Sequence, residues 1–132
     1  MIIELAGHKF DAVFEENSSP KTCEAFRKVM PFEGQVVHVR WSGEGLWIPL
    51  GDRDFAIGYE DATSYPTPGQ VLLYPKGKSE TEILIAYGGV RFASKAGPLA
   101  GNHFATITSD LKKLREIGVS ALWEGSKSIV FL

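Results

Sequence analysis

Val71-Leu72-Leu73-Tyr74-Pro75-Lys76-Gly77-Lys78-Ser79-Glu80-Thr81-Glu82-Ile83-Leu84-Ile85-Ala86-Tyr87-Gly88-Gly89 holds two short apolar runs on either side of a Pro-Lys-Gly-Lys turn. Proline presets the backbone for a turn and glycine supplies conformations that other residues avoid, so the chain reverses between the runs. Each run is short for a helix and ordinary for a strand. Neither alternates apolar with polar residues, as a strand with one wet face would. Residues 71–74 and 83–87 are therefore expected to be strands buried on both faces.

The same punctuation extends outward from this stretch, with 14 Gly and 7 Pro spread between short apolar runs. Ile2–Ala6 reads as a strand, and Lys9–Glu15 as another with Phe10, Ala12 and Phe14 on one face. Gln35–Trp41 and Leu46–Leu50 follow, Pro49 confining the latter to an edge or an end. Phe104–Thr108 and Ser128–Leu132 bring the strands to about eight. Ser19-Pro20 supplies a cap and a first-turn proline for a helix whose apolar stripe is Cys23, Phe26 and Met30, ended by Pro31. A second helix is expected after Thr108 or Ser109, with Leu111 and Leu114 inward and Gly118 just beyond its end. Neither helix is stable alone, so each must cover an open end or face of the sheet. The expected architecture is mainly β, a closed eight-stranded barrel with two covering helices, in a single domain over residues 1–132.

Composition excludes several classes. A chain of 132 residues has room for one core. No apolar run approaches the ~20 residues that span a bilayer. One cysteine, Cys23, excludes an internal disulfide framework and multi-cysteine metal sites, and it belongs to the helix's apolar stripe. A net charge of −2 supplies no bulk attraction to nucleic acid. The expectation is a soluble, cytoplasmic domain with neither nucleic acid nor membrane as partner.

The segment Val13-Phe14-Glu15-Glu16-Asn17-Ser18-Ser19-Pro20-Lys21-Thr22-Cys23-Glu24-Ala25-Phe26 resembles the strand, turn and helix near the start of cyclophilins, where an acidic turn leads into Pro-Lys-Thr and a Phe follows. Met30-Pro31-Phe32-Glu33-Gly34, Trp41 with Glu44, Gly69-Gln70-Val71, Tyr74–Lys78 and Gly101-Asn102-His103-Phe104-Ala105 are similar to small bacterial cyclophilin-like proteins of unknown function. The resemblance spans most of residues 9–108 and implies a cyclophilin-like barrel with its binding surface on the outside. The isomerase signature, a Phe-Met-x-Gln-Gly-Gly-Asp run, is missing between residues 32 and 58. A shared fold with a different site is the implication, since fold alone does not carry function.

Strand alternation through Val36–Trp41 puts His38 and Arg40 on one face, either solvated or suited to a carboxylate or phosphate. Asn102-His103, entering a strand, suits a general base with an orienting amide, or equally a loop cap beside a satisfied histidine. Glu44, Trp47, Tyr59, Glu60 and Asp61 place carboxylates near aromatics, which suits recognition of a small polar or cationic ligand or equally a merely solvated surface. Tyr87, Arg91, Phe92 and Ser94 suit a loop rim over the pocket, with Arg91 equally read as a surface cation lying over Phe92. The candidate catalytic residues are thus His103 and Arg40, and the candidate ligand-binding residues Trp41, Glu60, Tyr87, Arg91 and Asn102. The chain lacks the nucleophile elbow, phosphate loop, dinucleotide fingerprint and His-Glu-x-x-His, so no cofactor or metal is expected. Three functions remain: a pocket for a small ligand, anionic ones included; prolyl-peptide isomerisation or binding; and a homo-oligomeric assembly module in which Ile129–Leu132 adds an edge strand to a partner.

Overall fold

The computed structural model describes residues 1–132. Its strands are β1 (Ile2–Leu5), β2 (His8–Phe14), β3 (Phe32–His38), β4 (Gly43–Gly51), β5 (Ala62–Thr63), β6 (Gln70–Tyr74), β7 (Thr81–Val90), β8 (Ala93–Ser94), β9 (Gly97–Pro98), β10 (Gly101–Ile107) and β11 (Lys127–Phe131). Helix α1 covers Pro20–Arg27 and α2 covers Leu111–Glu124, with a single 3-10 turn at Arg40–Ser42. Eight strands close antiparallel in the circuit β1-β11-β3-β4-β7-β6-β10-β2, and β2 returns to β1. The expected barrel is the observed one. Closure leaves no long edge open to pairing with another chain. The short β5 extends β10 beyond β2, and β8 with β9 forms a hairpin outside the barrel.

The apolar runs at 71–74 and 83–87 are buried on both sides. Inward, Val71, Leu73, Ile83 and Ile85 join a core with Phe10, Phe26, Phe104 and Phe131. Outward, Leu72, Tyr74, Leu84 and Ala86 join a second cluster with Val39, Phe92 and Leu99. Both sides are apolar because the segment that includes the β8–β9 hairpin lies over the outer face of β6 and β7. Helix α1 buries Thr22, Cys23 and Phe26, the Phe26 ring standing 5.0 Å from those of Phe104 and Phe131. Helix α2 covers the barrel with Leu114, Ile117 and Ala121.

Four expectations are corrected. The third strand ends at His38, because the chain turns through Arg40–Ser42 into Gly43 (φ 100°), whose missing Cβ admits the Gly89 carbonyl. Arg40 and Trp41 therefore lie on a turn, outside the strand's alternation. Gly118 lies inside α2, which runs on to Glu124. Thr108 and Ser109 do not cap it: the Thr108 hydroxyl donates to the Asp11 carbonyl and the Ser109 hydroxyl accepts from the Asp11 amide, fastening the helix start to β2. Finally, β11 is paired on both sides, with β1 and with β3, and has no free edge to offer a partner. Pro49 lies in β4 beyond that strand's paired contact with β3, against Glu82 of β7.

Candidate functional site

The parity of β7 sends Leu84 and Ala86 outward, and Glu82 points outward with them. Its cross-strand neighbours are Pro49 on β4 and Tyr74 on β6. Above it opens a cavity of about 600 Å³ on the outer wall of the barrel. Trp47 of β4 and Trp41 of the 3-10 turn form one side, edge to face with centroids 6.4 Å apart. Lys78, Ser79 and Glu80 of the β6–β7 turn form another, and Ser94, Lys95 and Ala96 of the hairpin close the third. The frame is tied down locally. Tyr74 Oη accepts the Lys78 amide at 2.8 Å, and Ser42 Oγ bonds both the amide and the carbonyl of Ala93 at 3.1 Å.

Glu82 is 4% exposed. Burial disfavours the carboxylate and pushes its pKa up to about 7, outweighing the Trp47 and Ser79 donors that favour the charged form, while Glu80 pushes in the same direction as burial. Trp47 Nε1 is itself buried without a partner at hydrogen-bonding geometry. The cavity thus combines two indole walls with a buried acid whose pKa burial raises to about 7. Such a group can exchange a proton or accept a charged partner at ordinary pH.

The other residues singled out in the sequence fall in separate places. His38 Nε2 and Tyr87 Oη share a hydrogen bond of 2.7 Å, beneath an ion pair of Arg115 with Glu44 Oε2 at 2.7 Å. Glu44 also accepts the Gly89 amide at 3.1 Å, and the Arg115 guanidinium stands 5.8 Å from the Tyr87 ring centre. Burial, then the Arg40 cation, hold His38 below its usual pKa, which favours the neutral ring. Tyr87 is raised by burial and by Glu44.

Glu60 and Asn102 meet at the start of α1. The Glu60 carboxylate accepts the Lys21 amide (3.2 Å), the Thr22 amide (2.7 Å) and the Thr22 hydroxyl (2.7 Å). Burial pushes this acid up, yet those hydrogen bonds prevail and hold it below its ordinary value. Ser19 occupies the cap position but sends its hydroxyl to the carbonyls of His103 (2.8 Å) and Glu60 (3.3 Å). Asn102 is fully buried, donating to Thr22 Oγ1 (3.0 Å) and the Gly58 carbonyl (2.9 Å) and accepting the Glu60 amide (3.0 Å).

His103 lies beside them on the outer face of β10. Thr106 Oγ1 donates to Glu15 at 2.8 Å and therefore accepts from His103 Nε2 at 2.7 Å. His103 Nδ1 faces Asp61 at 3.8 Å. Along the wall, β6, β7 and β4 intervene between His103 and the strand that leads to Arg40. At ~4.8 Å per strand that is ~19 Å along the sheet. Arg91 is exposed, its amide held by the Ser42 carbonyl at 2.9 Å. Of the seven residues proposed from sequence, Trp41 alone lines the large cavity. Glu82 was missed, although an acid at the head of an otherwise apolar, doubly covered strand is a visible signal. His8 pairs with Asp110 at 3.1 Å.

The geometry defines a small closed antiparallel barrel with two helices and a cavity on its outer wall. Residues 1–132 match the family described as protein of unknown function DUF3830, and the chain belongs to that family. No curated protein matches the sequence. The fold is similar to that of McbB, solved in complex with tryptophan, with TM-score 0.74 and 18% identity over 98% of this chain and 43% of McbB. This chain thus spans less than half the length of McbB. It is also similar to the hypothetical protein AF2241 from Archaeoglobus fulgidus, with TM-score 0.61 and 16% identity over 98% of this chain and 89% of that one. At such identities the likeness concerns the fold alone. No helix is long and apolar enough to cross a membrane.

Proposed function

We propose that residues 1–132 act as one cyclophilin-like domain that binds a small molecule in the cavity between Trp41, Trp47 and Glu82. The observation that carries this reading is the cavity itself, about 600 Å³ with two indole walls and a buried carboxyl at its base. That volume falls within the ~300–1,000 Å³ of small-molecule sites, which are apolar clefts with a few oriented polar groups. The residues around Glu60 and Asn102 spend their hydrogen bonds on α1 and the 58–60 segment, and His38 with Tyr87 lies beneath α2. His38 Nδ1 there is buried without a partner, but the outer cavity is the site that offers room for a ligand beside a buried carboxyl. McbB was solved with tryptophan, which makes indole derivatives the first probes to try.

The test is calorimetric titration of the whole chain with L-tryptophan, indole and tryptamine, repeated on Trp41→Ala and Trp47→Ala. Saturable binding to at least one probe, weakened about tenfold or more in either variant, is expected from the loss of an aromatic wall. Heats at the level of dilution for all three probes would remove the reading.

A further inference from the structure

Resting on that reading, we infer that the cavity selects a cationic head group, an ammonium or amidinium on a flat apolar body, with Glu82 as its counter-ion. Three observations converge. Glu82 is 4% exposed and takes part in none of the chain's ion pairs, so the domain retains a buried acid without supplying its partner. Burying an uncompensated carboxylate costs several kcal/mol in most settings, and a bound cation removes that cost. The walls beside it are the indoles of Trp41 and Trp47, the ring type whose face best attracts a cation. The charged groups that face Glu82 sort by depth. Lys78 and Glu80 come from the β6–β7 turn and Lys95 from the hairpin, all exposed, while the strand neighbours of Glu82 are the uncharged Tyr74 of β6 and Pro49 of β4, with Trp47 beside them. Solvent screens the rim lysines, whereas a charge at the floor acts through a medium of low dielectric. The floor therefore outweighs the rim in choosing the sign of the ligand.

A cation that binds ionised Glu82 displaces its proton, so affinity rises with pH through neutrality, where the acid titrates at about 7. The experiment uses three probes of one shape and three charges: tryptamine, 3-ethylindole and indole-3-propionate, titrated into the whole chain at about pH 6 and about pH 8. At the higher pH tryptamine is expected to bind about tenfold tighter than 3-ethylindole, with the propionate weakest. Its advantage should shrink several-fold at the lower pH. Glu82→Gln should bring the three probes within about threefold of one another, with folding checked by circular dichroism. Should 3-ethylindole or the propionate match tryptamine while Trp41→Ala still abolishes binding, the cation selectivity is overturned and the binding site stands. Absence of binding by all three overturns both. If Glu82→Gln fails to fold, the wild-type pH series decides, and a preference that is flat between the two pH values counts against Glu82.

Discussion

Gly118 of α2 rests directly on the ring of Tyr87, and a Cβ at that position would fall inside the ring's van der Waals envelope. The helix thereby sits close enough to cover the hydroxyl that Tyr87 shares with His38. Alanine at 118 would gain up to ~1 kcal/mol of helix propensity but force the ring or the helix aside, at a cost of ~1–3 kcal/mol for overpacking. Gly118→Ala is therefore expected to lower stability in urea titration. A net gain would show that α2 is free to shift.

The hydrogen bonds that Glu60 makes to α1 give a second prediction. Glu60→Ala removes the acceptor for two first-turn amides and a hydroxyl, a loss of ~1–2 kcal/mol by comparison with other helix caps. Because the folded state holds this acid below its ordinary pKa of 4.5, the stabilisation is full above that value and fades as pH falls through the folded pKa. The difference between wild type and variant in thermal unfolding should shrink in acid. A constant difference down to about pH 3 would mean that the lost side chain acts by packing.

Glu82 has the opposite sign. Its pKa is raised in the folded state from 4.5 to about 7, so the native fold prefers the proton and loses stability as pH rises across that window. Above it, the shift corresponds to ~3 kcal/mol. Glu82→Gln should be more stable than wild type by up to that amount near pH 8 and nearly equal to it near pH 4. Equal stabilities at both pH values would show the carboxyl to be well hydrated in solution.

Arg40 was picked for a chemical role and sits where its charge acts on His38. Burial comes first and Arg40 second among the causes that lower this histidine, so the folded state favours the neutral ring. Stability from this group is full above the ordinary value of 6.5 and is lost as pH falls through the folded pKa. In a nuclear magnetic resonance titration the His38 ring should protonate below its usual range, and Arg40→Gln should move the midpoint upward. An unmoved midpoint would place the guanidinium too far away to matter.

How much of this was legible follows from the range over which each feature is encoded. The doubly buried strands were readable because burial on two faces forbids polar residues within a run, and Val71–Tyr74 and Ile83–Tyr87 obey that rule. The 3-10 turn was not, since apolar and polar residues go on alternating through Trp41 after the strand has ended at His38. Capping of α1 by Glu60 bridges 38 residues to Thr22, beyond any rule that scans neighbouring positions. The cavity draws on Trp41, Trp47, the 78–80 turn, Glu82 and the 94–96 hairpin, which become neighbours only once β4, β6 and β7 are side by side. The sequence showed an acid beside aromatics, but which acid was decided by the barrel.

The placement of β11 also sets the order in which the molecule can be made. Strands β1 and β3 are both made before β11, yet they share no ladder of their own, and the gap between them belongs to residues 127–131. Until those residues emerge, the nascent chain can have at most seven of its eight barrel strands in place, with two unsatisfied edges facing an empty slot. Closure of the wall therefore waits for the strand that is made last of the eight.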